Sequence, residues 1–206
     1  VLLSKARELG FKVVALASSG NAAASASAYS AKAKLPCYIF VQETTSTAKM
    51  TQMLMHKANV IKCKGGLVEI GSVATEACKQ FGWFHITPTK SQQPYSSDGA
   101  KTVAYEIAEQ LGWKVPDNIV VPVGGGDLLG GIWKGFKDLK EMGLTYGLPR
   151  MVVSQPEGAN PVVKGLKEKK KYYEVQPIEP HTIAAGIKLG IVPGSWVLNA
   201  LNESHG

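Results

Sequence analysis

Short β-branched and aromatic runs in this chain alternate with longer stretches of helical spacing, and that alternation limits the folds open to it. Residues 11–17, 37–41, 60–63, 83–86, 119–123 and 151–154 read as strands. Between and around them, residues 1–10 (closed by Gly10), 21–33, 46–57, 68–81, 98–111, 128–142 and 161–170 read as helices. Strands that alternate with helices pair in parallel through right-handed crossovers. The expected class is α/β, with mostly parallel sheets flanked by helices in two lobes. A polar, proline-containing connection over residues 87–97 is where the lobes part. It predicts a smaller lobe at 1–93 and a larger one at 94–206. Beyond residue 170 only Gly- and Pro-rich turns are expected.

Two strand-to-helix turns stand out. The first runs Ser18-Ser19-Gly20-Asn21-Ala22 into a helix of alanines and serines. The second runs Val121-Pro122-Val123 into Gly124-Gly125-Gly126-Asp127-Leu128. Open α/β sheets bind ligands at the carboxyl ends of their strands, where helix N-termini favour anions. Each turn also has a purely structural reading, with Asn21 capping its helix and Asp127 capping the other. A carboxylate about 4 Å from a phosphate costs about 4 kcal/mol at an effective dielectric of 20, so the Asp127 side chain is expected to point away from any bound phosphate. The spacing Gly124-x-Gly126-x-x-x-Gly130 is not the dinucleotide fingerprint, and the next strand ends in Ser154-Gln155 with no acid for a ribose. A nicotinamide site is therefore disfavoured.

Composition excludes several classes. No apolar run reaches the ~20 residues of a membrane span, and no leader is legible in residues 1–10, so a cytoplasmic protein is expected. Cys37, Cys63 and Cys78 show no metal spacing and read as reduced thiols. His56, His85, His181 and His205 form no ligand pattern. A net charge of +7 is spread over helices, and the one dense basic run, residues 164–171, contains Glu168. It reads as a solvated helix end, with no nucleic-acid motif beside it.

Taken in order, the motifs resemble the threonine-synthase branch of the fold-type-II pyridoxal-phosphate enzymes, the tryptophan synthase β-like family. Ser18-Ser19-Gly20-Asn21 is similar to that family's Ser-Thr-Gly-Asn loop. Pro94-Tyr95 followed by Asp98-Gly99-Ala100-Lys101-Thr102 resembles its Pro-Tyr…Glu-Gly-Gln-Lys-Thr segment. Residues 121–126 leading into Gly131-Ile132-Trp133-Lys134-Gly135-Phe136 resemble its phosphate loop and helix. Gln155-Pro156-Glu157-Gly158-Ala159 and Thr182-Ile183-Ala184-Ala185-Gly186-Ile187 follow in the family's order.

The resemblance implies pyridoxal 5'-phosphate as cofactor. Asn21 would bond its phenolic oxygen, and the backbone of Gly124, Gly125, Gly126, Asp127 and Leu128 would hold its phosphate. Ser18, Ser19, Gly20 and Ala22 would lie against the α-carboxylate of a small amino-acid substrate, and Lys90 and Ser91 against a substrate phosphate. The implied chemistry is loss of the α-proton, with elimination or replacement at the β- or γ-carbon. Threonine synthesis from O-phosphohomoserine leads. A serine or threonine dehydratase, a cysteine- or cysteate-synthase-like enzyme and an inactive fragment with an anion pocket are the alternatives. The family's Schiff-base lysine, in a Ser-x-Lys-x-Arg setting, has no match here. Lys5-Ala6-Arg7 lacks the serine in register, so the lysine is expected upstream of Val1 and the chain is expected to be cut at both ends. Ser96, Ala100, Gly125 and Ala22 depart from the branch's pattern, which puts a phosphorylated substrate in question. The family implies a homodimer.

Overall fold

The computed structural model describes every residue except Pro88, Thr89 and Ser91, together with all side chains of the described residues other than Leu67 and Ala185. The chain divides into two compact units, residues 1–88 and 89–206.

In the first unit, helix α1 (Leu2–Glu8) leads to strand β1 (Val14–Ala17), helix α2 (Asn21–Ala33), strand β2 (Cys37–Gln42) and helix α3 (Thr47–Met55). Strand β3 (Asn59–Cys63), helix α4 (Leu67–Phe81) and the two-residue strand β4 (Phe84–His85) complete it. The four strands form one parallel sheet in the order β3-β2-β1-β4, as the strand–helix alternation requires. Because side chains alternate along a strand, Ala15 and Phe40 meet Ile70, Ala74 and Cys78 of α4. Val14, Leu16, Ile39 and Val41 are buried and point to the other face. Helix α2 packs on β1 and β2 through the small buried residues Ala23, Ala26, Ser27 and Ser30. Gly10 ends α1 as the sequence predicts: its φ is 82°, and its amide and that of Phe11 turn back to Arg7 and Ala6 carbonyls. The strand begins later than expected, at Val14 rather than residue 11.

The second unit holds helix α5 (Ser96–Gln110), strand β5 (Asn118–Pro122), helix α6 (Asp127–Glu141) and strand β6 (Arg150–Ser154), then helices α7 (Pro161–Lys167) and α8 (Ser195–Glu203). Strands β5 and β6 pair in parallel, joined by α6. Phe136, Leu129, Met151, Val121, Val123 and Leu201 are all at most 2% exposed and form the core of this unit. Gly131 and Gly135 let α5 lie against α6: a Cβ on Gly135 would stand 2.7 Å from both the Ala104 Cβ and the Lys101 carbonyl oxygen. The tail is not only turns. Residues 195–203 form α8, whose Val197, Leu198, Ala200 and Leu201 are buried. Ser204, just after it, accepts the Met151 amide at 3.1 Å. Pro193-Gly194 disguised this helix, because they read as a breaker, yet they only precede its first turn.

Candidate functional site

Strand β1 stops at Ala17, and residues 18–20 turn into α2 at the carboxyl end of the sheet. The Ser18 amide is the last ladder donor, reaching the Phe40 carbonyl at 3.1 Å, and the Gly20 amide bends back to the Ser18 hydroxyl at 3.3 Å. Gly20, not Asn21, is the N-cap of α2, and no side chain caps it. The capping reading of Asn21 is thereby corrected. Asn21 is the first helical residue, exposed, and its amide side chain makes no hydrogen bond among the described residues. The opening turn of α2 therefore presents free amides and an uncommitted carboxamide, with Ser19 beside them and Ala22 leaving the approach unobstructed.

In the second unit, β5 ends at Pro122 and the chain passes through Gly124, Gly125 and Gly126 into α6. Gly126 is the N-cap in the left-handed region, with φ of 76°, and a Cβ there would collide with Val197 of α8. A Cβ on Gly124 would meet the Gly186 oxygen and Ile187 Cα, each at 3.1 Å. Two of the three glycines are thus required by turn and packing alone. Gly125 is exposed and faces outward. The amides of Gly124, Gly125, Gly126 and Leu128 have no acceptor among the described residues. They stand at the positive end of a 15-residue helix, which is an anion cradle in charge and geometry.

Gln155 stabilises this turn from behind. Its side-chain nitrogen donates to the Val123 carbonyl at 3.0 Å, and its oxygen accepts the amides of Val162 and Val163 at 3.0 and 3.2 Å. That commitment leaves it unavailable to a ribose.

Asp127 departs from expectation. It is the first residue inside α6 and does not cap it. Its Oδ1 accepts the Lys90 amide at 2.8 Å and the Ser96 hydroxyl at 3.2 Å. Burial raises its carboxyl above the ordinary aspartate value, with hydrogen bonds from Lys90, Ser96 and its own amide and the Lys90 charge pulling the other way. Lys90 therefore sits at the loop, with its ammonium 5.7 Å from the centre of the Trp196 ring. The indole nitrogen of Trp196 is buried without a partner, 3.5 Å from where a Gly126 Cβ would lie. Ser96 and Trp196 escaped notice as site residues: Ser96 registered only as a departure from a pattern, and Trp196 lay in the tail read as turns. Ser91 lies outside the described residues.

Other features carry less. A groove of about 430 Å³ lies at the amino end of β1, lined by Phe11, Lys12, Phe81 and Trp83 among others, the wrong end of the sheet for a crevice of this class. Lys5 bonds Glu8 at 2.6 Å within α1, an ordinary i,i+3 pair. Among the described residues no three His, Cys, Asp or Glu groups cluster to hold a metal, and no helix is long and apolar enough to cross a membrane. Cys37 and Cys78 are buried free thiols, pushed up by burial, Cys78 to about 11.

Threonine synthase of Methanosarcina acetivorans is 37% identical to this chain, over 99% of the chain and 50% of that protein. Threonine synthase of Methanocaldococcus jannaschii is 35% identical over the same shares. The chain thus spans about half the length of the curated relatives it matches. Among solved structures, the processed threonine deaminase isoform 2 of Solanum lycopersicum superposes with a TM-score of 0.78 at 23% identity, over 95% of this chain and 50% of that one. This likeness shows the fold, α/β with mostly parallel sheets flanked by helices, of the tryptophan synthase β-like kind. The sequence profile described as "Pyridoxal-phosphate dependent enzyme" matches residues 1–206, the whole of the chain, so the chain belongs to the pyridoxal-phosphate dependent enzyme family.

Proposed function

We propose that this chain is the cofactor-phosphate-binding part of a lyase or synthase that acts on small amino acids by elimination or replacement at the β- or γ-carbon, most like threonine synthase. The free amides of Gly124, Gly125, Gly126 and Leu128 at the head of α6 carry the proposal, together with threonine synthases as relatives along the whole chain.

The cofactor fits these residues. Pyridoxal phosphate ends in a phosphate ester, and the loop offers several amides without an acceptor among the described residues, an open face at Gly125 and a buried, unpartnered indole N–H at Trp196. When bound, the cofactor supplies an electron sink for the charge left at Cα as the α-proton departs. The chain's own residues bind and orient. In this reading the loop of residues 124–128 anchors the phosphate, and the Asn21 carboxamide donates to the phenolic oxygen. The amides after Ser18, Ser19 and Gly20, with Ala22 giving clearance, hold the substrate carboxylate. Lys90 and Ser91 are assigned to an anionic group of the substrate, and the Schiff-base lysine to a segment ahead of Val1. The two units are taken as parts of the two lobes, and a cytoplasmic homodimer as the working form.

The competing dehydratase reading shares the assignments for the cofactor and the substrate carboxylate, but its substrate loses water instead of phosphate and leaves Lys90 and Ser91 no anionic group to meet. Titrating the purified chain with pyridoxal phosphate, followed by borohydride reduction and peptide mapping, tests the proposal. Saturable binding without a reducible adduct is the expected outcome. A single reduced adduct on Lys5 would return that residue to the catalytic machinery, and absence of saturable binding would overturn the cofactor site.

A further inference from the structure

The mouth of the phosphate loop already holds a negative charge. Asp127 Oδ1 is tied down by the Lys90 amide at 2.8 Å and the Ser96 hydroxyl at 3.2 Å. This fixes the direction of the other oxygen. A Cβ built on Gly125 would stand 3.2 Å from Asp127 Oδ2, so that oxygen hangs over the exposed middle of the loop. The carboxylate also draws on its own amide, one of the donors that a phosphate would use.

We propose that the Asp127 carboxylate is the resident anion of the loop of residues 124–128, and that a phosphate-bearing ligand enters there only as Asp127 takes up a proton from solvent. The inference rests on the reading of this loop as the cofactor-phosphate site.

Two like charges within a few ångströms cannot both be stabilised by the same few amides, so one must be neutralised. Lys90 is the charged side chain that acts on Asp127. Among the other charged groups of the packed elements, Asp98 pairs with Lys101 and Lys134, Asp138 with Lys101 and Glu203 with Lys137. Glu106, Glu109, Lys140 and Glu141 stand in the far halves of α5 and α6, and Lys188 follows Ile187, which packs on Gly124. Burial already favours the neutral acid at Asp127, which lowers what proton uptake demands. A protonated Asp127 keeps Oδ1 as acceptor for Lys90 and Ser96 and turns its O–H into a donor toward the ligand.

Sulfate is the suitable probe, because it stays dianionic from pH 4 to 8. Calorimetric titration of the chain with sulfate, in two buffers of different ionisation enthalpy, reads affinity and proton uptake together. Above the titration of Asp127, Kd is expected to rise about tenfold per pH unit, with one proton taken up per sulfate bound. Asp127→Asn keeps an acceptor for Lys90 and Ser96 and is expected to bind sulfate with a flat Kd and no proton uptake. At pH 8 it should bind at least about tenfold more tightly than the wild type. A pH-independent Kd in the wild type, which needs no variant to measure, would overturn the inference. Pyridoxal phosphate binding alongside such a result would leave the loop's assignment standing and remove only the role of Asp127. Binding of neither ligand at any pH would remove both.

Discussion

Gly126 and Gly125 are adjacent and chemically identical, yet their demands differ. Gly126 holds φ of 76°, and any side chain there would run into Val197. Gly125 has no positive φ, and a Cβ would meet only the end of the Asp127 side chain. Gly126→Ala is expected to cost about 2–4 kcal/mol, from left-handed strain plus displacement of α8. Gly125→Ala should cost less than about 0.5 kcal/mol. Urea unfolding of the two variants measures the contrast, and equal losses would show that packing of α8 on the turn is not what fixes Gly126. The run Gly124-Gly125-Gly126 was visible in the sequence as a tight, amide-rich turn, and so was the Ser18-to-Asn21 turn. Which glycines serve the turn and its packing and which is left open to solvent was not visible, because that depends on Val197 and Ile187, distant in sequence. The caps were misassigned for a related reason: Asn21 and Asp127 are good capping types, but a preceding glycine took each cap position. Asp127 found partners in Lys90 and Ser96, more than thirty residues upstream.

Among elements, the α5–α6 pair owes its closeness to glycines and its fixed register to charge. Lys101 reaches Asp138 at 2.6 Å and Asp98 at 3.5 Å, while Tyr105 donates to Asp138 at 3.2 Å and Lys134 to Asp98 at 3.1 Å. Burial works to raise both carboxyls, but the lysines more than offset it and leave Asp98 and Asp138 below the ordinary range. Lys101 is held above its ordinary value by the hydrogen bond to Asp138. A carboxylate with a depressed folded-state pKa contributes stability above about pH 4 that disappears as pH falls through that lower value. The lysine's share persists until pH rises past about 10.4, its unfolded value. Lys101→Met, which keeps the methylenes, should therefore cost about 1 kcal/mol at pH 7, discounted for partial exposure. The gap to the wild type should close as the pH is lowered below about 4. Thermal unfolding at pH 7 and pH 3 checks this, and an equal gap at both would assign the effect to packing. Strand–helix order and parallel pairing were legible because each element keeps its own apolar period. Helix α8 was not, since nine residues behind Pro193-Gly194 carry too short a pattern to stand out.

Across the whole molecule, the charge balance is the property most open to a second reading. The chain carries +7, and its densest basic stretch runs from the last turn of α7 through Lys167, Lys169, Lys170 and Lys171 to the exposed Tyr172 and Tyr173. Lysines beside open aromatic rings can grip single strands by phosphate contact and base stacking. The local geometry works against that. Tyr172 and Tyr173 meet edge to face at 5.3 Å, and the Lys171 ammonium stands 5.8 Å from the Tyr173 ring centre. Lys170 is paired with Glu168 at 2.6 Å, and Lys164 and Lys167 lie in the last turn of α7, where the helix dipole favours cations. A continuous platform of free rings is missing from this surface among the described residues, so what remains is a screened, sequence-independent attraction. Fluorescence anisotropy with a labelled 20-nucleotide single strand should find binding weaker than about 10 µM at 0.15 M salt, weakening further as salt rises. A dissociation constant below about 1 µM at that salt, lost on replacing Lys169, Lys170 and Lys171 by alanine, would make this run a nucleic-acid site. The weak result instead leaves the positive charge as a screened, long-range attraction for small anions.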